Sequence, residues 1–267
     1  MISETLAATG ESRPGESHLV LSLFPGAGLL DRGFEQAGFI VVRGPDTLLG
    51  QRIEDFHFLP RTVTGIIGGP PCQDFSRARR HPPTGHGLKM LREYARVVTE
   101  AQPLWWLMEN VPQVPDVHIP GYVTQRFNLF AFEFGCAQKR NRSFQFGSRD
   151  GVPLVIERGI QSHFGRKLAP AVLAKDHRKN FADVCELQGL PRNFDLPGLS
   201  RSAKYRAVGN GVPVPMARAV AVAIRDRRPI TERLCICGCG RILRGVRRQR
   251  SATPACRKRI ERSHRRF

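Results

Sequence analysis

The side chain best placed to act as a nucleophile is Cys72, at the end of Gly68-Gly69-Pro70-Pro71-Cys72-Gln73. The β-branched run Val63–Ile67 ahead of it predicts a buried strand that stops abruptly at the Gly-Gly pair. The two prolines fix φ and withhold N–H groups, so the following turn is stiff. Loops at the carboxyl ends of parallel strands carry the chemistry of α/β folds. The pattern favours a thiol nucleophile over the alternative of a buried structural cysteine.

Other charged side chains follow predicted strands. Glu109 comes directly after the apolar run Leu104–Met108, and its carboxylate would lie near the thiol if the two strands are neighbours. The alternative for Glu109 is a simple cap. In an extended segment Gln138, Arg140 and Arg142 face one side, which suits anions or base edges. A surface salt-bridge row is the alternative for these three.

The elements that position these groups begin with a strand, a Gly-rich turn and a helix, at His18–Phe24, Pro25–Gly28 and Leu29–Gly38. This order is typical of the first unit of a nucleotide-binding α/β sheet, although a G-x-G turn alone is also an ordinary tight turn. A second strand is predicted at Phe39–Val42. Asp46 follows it, where an acid commonly receives ribose hydroxyls or is a solvated turn residue.

The rest of the chain divides into segments of different character. A helix is predicted over residues 88–101, and a helix and a strand are predicted within 121–135. Towards the end of the core, the patterns predict a short helix over 183–190, a stiff Gly/Pro loop over 206–215 and the last core helix over 216–225. The predicted divisions are a disordered leader (1–17), a core (18–147), a short basic insert (148–182), a return segment completing the core (183–226) and a basic Cys-rich appendage (227–267).

The net positive charge of the chain indicates the class of its binding partner. The net charge is +19, of which residues 225–267 carry +12 from fifteen basic and three acidic side chains, leaving +7 for the rest. So much charge of one sign favours a polyanion, first of all nucleic acid, over the alternative of charge for solubility. No apolar run reaches 18 residues, the N-terminal stretch does not resemble a secretory signal, and the cysteine count is odd. We therefore expect no membrane contact and a reducing, cytoplasmic location.

The appendage contains its own cluster of soft ligands. Cys235, Cys237, Cys239 and Cys256 are sufficient for a tetrahedral zinc site, and His264 lies further on. Reduced free thiols are the alternative, because the C-x-C-x-C spacing is not that of an ordinary zinc knuckle. The basic run 257–266 predicts salt-sensitive contacts with phosphates that do not depend on sequence.

Five motifs in order resemble those of the DNA cytosine-5-methyltransferases over residues 19–225. They are Phe24-x-Gly26-x-Gly28, Pro70-Pro71-Cys72-Gln73, Glu109-Asn110-Val111, Gln138-x-Arg140-x-Arg142 and Gly209-Asn210-Gly211-Val212-Pro213. The compact form with a basic extension is similar to the stand-alone enzymes of phages and prophages. The resemblance implies a Rossmann-like α/β core that uses S-adenosylmethionine, with a small target-recognition insert.

The resemblance also assigns roles in catalysis. Cys72, as a thiolate, would add to carbon 6 of cytosine so that carbon 5 attacks the cofactor's methyl group. Glu109 would hold the ring at nitrogen 3 and the exocyclic amine, while Arg140 and Arg142 would grip the base carbonyl and a nearby phosphate. A base in a duplex must be flipped out to reach the thiol, and the loop Ser76–Gly87 would close over it.

The same resemblance implies the cofactor pocket. Its residues would be Phe24, Gly26, Gly28, Leu29, Asp46, Pro70, Asn210 and Val212. Three positions depart from the family pattern, because Leu29 replaces a glycine, Ser22 replaces an acid and Arg52 replaces the acid expected to receive the adenine amine. Glu54 or Asp55 would substitute for that last acid.

The expected activity is therefore methylation of cytosine carbon 5 in double-stranded DNA, by a monomer that needs no protein partner. Two alternatives stay open at this point: the same chemistry on RNA, and a catalytically silent DNA-binding relative.

Overall fold

A computed structural model describes residues 18–77, 79, 81–159, 168–172, 179–228, 235, 237, 239, 241, 243, 251 and 253–258. The predicted leader (1–17), Arg80 and His264 lie outside the described residues, as do residues 259–267 at the end of the basic run. The predicted target-recognition insert is described only over 148–159, 168–172 and 179–182.

The core is built on a mixed sheet of six strands. The strands, in chain order, are β1 (Leu19–Leu23), β2 (Ile40–Arg43), β3 (Gly65–Gly68), β4 (Trp105–Asn110), β5 (Val123–Phe130), β6 (Gln138–Lys139), β7 (Asn141–Ser148) and β8 (Ala169–Pro170). The large sheet has the order β2-β1-β3-β4-β7-β5, and β6 pairs with β8 separately. Strands β2, β1, β3 and β4 run parallel, whereas β7 is antiparallel to both of its neighbours. The carboxyl ends of β1, β3 and β4 therefore meet at one edge, as predicted.

Helices cover both faces of this sheet. They are α1 (Leu29–Glu35), α2 (His86–Ala101), α3 (Phe181–Leu187), α4 (Arg201–Asn210) and α5 (Val214–Arg225). Alternate strand residues point to opposite faces, so Ile67 packs with α1 and α5 while Ile66 packs with α2. A third apolar cluster joins α3 and α4 to Leu29 at the start of α1. The α/β class expected from the sequence is confirmed.

The contact between α1 and α5 depends on one glycine. A Cβ at Gly33 would lie 2.4 Å from the Cβ of Ala217 and 2.6 Å from the backbone nitrogen of Arg218. The two helices approach this closely because neither presents a large side chain at the crossing. In this way α5, which comes late in the chain, completes the first unit of the sheet.

Several predicted boundaries were wrong in detail. Helix α1 ends at Glu35, three residues before the predicted end, and the chain then turns at Gly38 with φ 90°. Strand β4 continues through Asn110, so Glu109 projects from a strand and not from a loop. The segment predicted as helix and strand is the strand β5 followed by a 3-10 turn at Ala131–Phe134.

Helices α4 and α5 together form the stretch Arg201–Arg225, which is apolar and long enough to cross a membrane by length and composition alone. The protein buries 56% of its most apolar window. That burial is what a core helix shows.

Candidate functional site

A cavity of about 960 Å³ opens at the edge where β1, β3 and β4 end. Its lining combines the turn after β1, the segment after β2, the turn after β3, the end of β4 and the loop between α4 and α5. One space therefore contains the predicted nucleotide turn and the predicted nucleophile. The predicted site residues in this lining are Phe24, Gly26, Leu29, Asp46, Cys72, Glu109, Asn210 and Val212.

The turn after β1 is held open by backbone geometry and by one carboxylate. Phe24 and Gly26 both have left-handed backbone angles, with φ of 55° and 54°. The Gly26 N–H donates to Asp46 Oδ2 at 2.8 Å, and the Leu48 N–H donates to Asp46 Oδ1 at 2.7 Å. Asp46 thus holds the turn in place through these two hydrogen bonds. Each of its carboxylate oxygens can still accept a further hydrogen bond from the cavity.

Two predicted cofactor residues, Gly28 and Pro70, are not in the lining drawn from the described residues. The Gly28 N–H donates to the Pro25 carbonyl at 2.8 Å, and a Cβ on Gly28 would lie 2.4 Å from Nη2 of Arg43. The Pro70 carbonyl accepts from Nδ2 of Asn110 at 2.9 Å. Both residues shape turns beside the cavity, and their contact with the cofactor stays a prediction.

The departures from the family pattern have local explanations in the structure. Leu29 packs beneath the loop before α5, where a Cβ on Gly211 would lie 2.8 Å from its Cδ2. Ser22, where an acid is usual, donates from Oγ to the buried Asp31 at 2.6 Å. Burial raises the pKa of Asp31, and the hydrogen bond from Ser22 and the charge of Arg43 oppose that shift.

The rim of the cavity contains one of the two acids that could replace the missing one. Arg52 is 65% exposed and lies 3.3 Å from Glu54, whose carboxylate also receives Nζ of Lys89 at 2.8 Å. The hydrogen bond from Lys89 is the main cause that lowers the pKa of Glu54 to about 2. Glu54 lines the cavity, whereas Asp55 is absent from the lining among described residues. The geometry therefore favours Glu54.

Cys72 is partly buried and follows the stiff turn at the end of β3. Burial raises the pKa of its thiol, and the charge of Glu109 raises it further, while Arg142 and Arg140 act in the opposite direction. These surroundings favour the neutral thiol, and the activation of Cys72 as a thiolate stays a prediction. The thiol must lose its proton when a substrate arrives.

Glu109 faces the turn that carries the thiol. A Cβ on Gly69 would lie 3.4 Å from Glu109 Oε2, and Nε of Arg142 lies 2.8 Å from Glu109 Oε1. The carboxyl group is only 8% exposed, and its burial raises its pKa despite the charges of Arg142 and Arg140. A carboxyl group with a raised pKa can donate a proton at neutral pH.

Arg140 has a different place from the one predicted. It is 1% exposed, and Nη1 donates to the Val172 carbonyl at 2.7 Å. Nη2 lies 2.8–3.1 Å from the carbonyls of residues 209, 210 and 211, in the loop before α5. The terminal nitrogens of Arg140 therefore bind backbone carbonyls, and its predicted contact with a base or a phosphate stays untested. Its Nε is buried with no hydrogen-bond partner among described residues.

Gln138 is buried as well, so the alternative of a surface salt-bridge row does not hold for Gln138 and Arg140. Nε2 of Gln138 donates to the Leu187 carbonyl at 2.5 Å and to Oε1 of Gln188 at 2.9 Å. Gln188, which sequence reasoning missed, donates in turn to the Val208 carbonyl at 2.7 Å and to the Gly211 carbonyl at 3.0 Å. These side chains fasten the return segment to the sheet.

A second missed residue is Asp74, two positions after the thiol. Its carboxylate accepts the Thr84 N–H at 3.0 Å and the Gly87 N–H at 2.8 Å. These donors lower the pKa of Asp74. Asp74 therefore fastens the far end of the loop Ser76–Gly87 beside the start of α2, and its Asp type alone gave no signal of this in the sequence.

The four cysteines of the appendage converge. Their Sγ atoms all lie within 4.8 Å of one another, with 3.4 Å between Cys235 and Cys237 and 3.6 Å between Cys239 and Cys256. The hydrogen bond from the Cys237 thiol lowers the pKa of Cys239 to about 4. The predicted grouping of these residues is confirmed as geometry.

Comparison with known proteins identifies the core. The family model for the C-5 cytosine-specific DNA methylase matches residues 51–183 and 180–226. The type II methyltransferase M.HgiDI of Herpetosiphon aurantiacus is 31% identical over 227 residues, covering 72% of each chain. M.FnuDI of Fusobacterium nucleatum is 36% identical over 165 residues, covering 49% of this chain and 46% of its own length. The chain spans about half the length of the first curated relatives that it matches.

Solved structures agree on the fold. A putative DNA modification methyltransferase encoded within a prophage of E. coli superposes with a TM-score of 0.59 at 16% identity, covering 77% of this chain and 98% of its own. The Entamoeba histolytica methyltransferase EhMeth superposes with a TM-score of 0.61 at 10% identity, covering 78% and 98%. At these identities the likeness concerns the fold alone.

Proposed function

The chain belongs to the C-5 cytosine-specific DNA methylase family, and from this premise we propose that it methylates carbon 5 of cytosine in double-stranded DNA. The observation that carries the proposal is the shared cavity. Cys72 and Glu109 line the same space as the glycine turn and Asp46. A nucleophile and a nucleotide-type pocket in one space are what methyl transfer to a base requires.

The residues present fit S-adenosylmethionine, which supplies an electrophilic methyl group when bound. Gly26 presents open space at its Cα, and Asp46 offers carboxylate oxygens beside it for ribose hydroxyls. Asn210 and Val212 close the pocket from the return segment. Glu54 is the acid we assign to the adenine amine. Arg140 acts as a positioning residue, since it binds the carbonyls of the loop that carries Asn210.

Cys72 supplies the covalent step in this proposal. Its Sγ bonds to carbon 6 of cytosine, and the electrons of the 5,6 double bond then make carbon 5 nucleophilic. After carbon 5 has taken the methyl group, it loses its hydrogen as a proton to water. The electrons of that bond restore the double bond and expel the thiolate. Because burial raises the pKa of Cys72, the thiol must pass its proton to water as the base docks, before Sγ bonds to carbon 6.

Glu109 supports that step from nitrogen 3 of the ring. The raised pKa of Glu109 lets its carboxylate take up a proton as the base docks, and the protonated group then donates to nitrogen 3 and stabilises the charge that attack at carbon 6 creates. Arg142 holds the carboxyl group through its Nε at 2.8 Å. We therefore propose that Arg142 contacts the base, and that its neighbour Arg140 positions the loop before α5.

The target base must leave the duplex, because a stacked cytosine cannot reach the partly buried Cys72. We propose that the loop Ser76–Gly87 moves over the flipped base and that Asp74 fixes the end of this loop nearer α2. The excess of positive charge provides the attraction to DNA phosphates. We further propose that the protein is a monomer that works in the cytoplasm without a protein partner. We also propose a zinc ion in the appendage.

Bisulfite sequencing of DNA from cells that express the chain tests this function. We expect protected cytosines within one short target sequence. They should disappear in the Cys72→Ser variant and persist in Cys185→Ser, which changes a buried thiol outside the cavity lining. Unprotected DNA from cells that contain folded wild-type protein would contradict the proposal. In that case, competition between duplex DNA and tRNA would test an RNA substrate, and cofactor binding would test a silent core.

A further inference from the structure

The cysteine cluster of the appendage has the dimensions of a metal site. A zinc ion with four sulfur ligands at about 2.3 Å places the sulfur atoms about 3.8 Å apart. The observed pairs at 3.4 and 3.6 Å, and the upper bound of 4.8 Å for all pairs, bracket that separation. We propose that Cys235, Cys237, Cys239 and Cys256 bind one structural Zn²⁺, a site outside the stretch that matches the family model.

Disulfide bonds do not account for this geometry. A disulfide needs sulfur atoms at about 2.05 Å, and both close pairs are more than 1 Å longer. Two disulfides would also leave two separate pairs, whereas all four sulfur atoms converge on one point. Four sulfur ligands around one point are the arrangement that structural zinc sites adopt.

The surroundings also suit a closed, structural site. Cys235, Cys239 and Cys256 are buried and Cys237 is partly buried, and four protein ligands of this kind are typical of a closed, structural site. Thr253 Oγ1 lies 3.1 Å and Arg241 Nη1 lies 3.7 Å from the sulfur of Cys256. Donors that point at the sulfur atoms stabilise thiolates and offset the net charge of −2 of a four-thiolate zinc centre.

The chain also folds locally in a way that delivers the fourth ligand. The Cys235 N–H donates to the Arg241 carbonyl at 2.8 Å and closes the segment that carries the first three cysteines. Residues 254–258 are helical, and the Thr253 hydroxyl accepts the Cys256 N–H at 3.2 Å at the start of that turn. Among the described residues of the appendage, the sulfur cluster brings these two short segments together.

The zinc module is docked on the core, so its metal should stabilise more than the appendage. Cys235, Cys239 and Cys256 belong to the same apolar cluster as Met216 and Val220 of α5. Arg227, at the start of the appendage, pairs with Asp150 at 2.8 Å and lies 5.3 Å over the ring of Phe146. Loss of zinc should therefore lower the thermal stability of the whole enzyme.

Zinc content of the full chain, purified with reductant and without added metal, is the first measurement. We expect about one zinc per chain by plasma mass spectrometry, falling to below about a fifth in Cys239→Ser and in Cys256→Ser, since each removes a ligand. Cys136→Ser and Cys185→Ser change buried thiols outside the cluster and should keep the metal. Replacement by Co²⁺ should give the thiolate charge-transfer and visible bands of a tetrahedral four-sulfur site.

A second measurement needs no variant and so does not depend on folding of the mutants. Alkylation of the wild-type protein followed by peptide mass spectrometry should show the four cluster thiols protected, and reactive after a chelator is added. The thiol of Cys72 should react equally with and without chelator. Metal-free protein whose four thiols are reduced and freely alkylated, or zinc content unchanged in both ligand variants, would overturn the proposal.

Discussion

The protonation of Cys72 and Glu109 is the residue-level feature with the most direct consequence for catalysis. Burial raises the pKa of both groups, and the charge of Glu109 adds to the shift at Cys72. The two arginines nearby, Arg140 and Arg142, reduce these shifts without being the largest cause. These surroundings favour the neutral thiol, so in the proposed mechanism Cys72 loses its proton when DNA binds.

The first prediction concerns the reactivity of that thiol. Since the pKa of Cys72 is raised, its alkylation by iodoacetamide should increase about tenfold for each pH unit between 7 and 8.5, as the thiolate fraction does. Glu109→Gln removes a charge that raises the pKa, so its profile should move to lower pH. Glu133→Gln, whose carboxyl pairs with Arg158 outside the cavity lining, should leave the profile in place. Fast alkylation independent of pH would contradict the prediction.

The second prediction concerns Glu109 as a proton donor. Glu109→Gln should lower the single-turnover methylation rate by roughly 10²–10⁴-fold, the usual contribution of a general acid. Binding of S-adenosylmethionine should stay within about twofold, since glutamine nearly keeps the shape of the side chain. The assay is transfer of labelled methyl groups to the target found by bisulfite sequencing. Equal losses of cofactor binding and rate would instead indicate a structural defect.

At the scale of elements, the site depends on two sets of hydrogen bonds. One set joins the return segment to the sheet, and the other joins the loop Ser76–Gly87 to the start of α2. Arg140 and Gln138 provide the first through backbone carbonyls, and Asp74 provides the second. Each joins stretches that are distant along the chain or separated by a turn. The cavity therefore depends on a few buried polar contacts as well as on apolar packing.

Asp74→Ala should release the loop end. Hydrogen bonds from Thr84 and Gly87 lower the pKa of Asp74 below its ordinary value. The stabilisation that the ionised carboxylate gives to the loop end is therefore complete at neutral pH. It is lost only when the pH falls below the ordinary pKa and then through the lowered pKa. At pH 7.5 we expect several-fold faster trypsin cleavage after Arg77 or Arg79 and a reduced methylation rate. Asp55→Ala, an exposed acid near the rim, serves as the control. Unchanged cleavage would mean that Asp74 does not fasten the loop.

Gly33→Ala tests the packing of α5 on α1. The added Cβ would meet the backbone of α5 at Arg218, which cannot rotate away, so we expect a loss of about 1–3 kcal/mol in the free energy of unfolding. Urea unfolding followed by circular dichroism measures it. Glu35→Ala, exposed on the same helix, should stay within about 0.5 kcal/mol of wild type. Equal stability of both variants would show that the helices can move apart at no cost.

At the scale of the whole molecule, charge is concentrated at one end of the chain. The last 43 residues, 225–267, carry +12 of the net +19. The docked cysteine cluster brings part of that charge onto the core, including exposed Arg257 and Lys258 beside Cys256. Affinity for DNA should therefore depend on the appendage, while the target sequence should not.

The salt dependence of DNA binding tests this. The double variant Arg257→Ala/Lys258→Ala should reduce the slope of log affinity against log salt by about 2 if each side chain neutralises one phosphate. The set of methylated sequences should stay the same. Fluorescence anisotropy with a labelled duplex at several salt concentrations gives the slope, and Cys72→Ser, which leaves the surface charge unchanged, should match wild type. An unaltered slope in the double variant would place the phosphate contacts elsewhere.

Local patterns were enough to predict the α/β sheet, the turns at its edge and the residues that gather there. Strand periodicity, glycines and prolines act over a few residues, so Phe24, Asp46, Cys72 and Glu109 could be placed at strand ends without a structure. The cysteine cluster was predictable for the same reason, since ligand type and spacing are local properties.

Only the tertiary structure decided what several of these groups do. Arg140 binds carbonyls about 70 positions away along the chain, so its neighbours in sequence could not show that it is a buried clamp. The protonation of Cys72 depends on burial and on charges from β4 and β7, which no local pattern contains. The sequence determined which chemical groups reach the edge of the sheet. The packing of distant segments decided the exposure, the partners and the charge of these groups, because desolvation and electrostatics act through space and not along the chain.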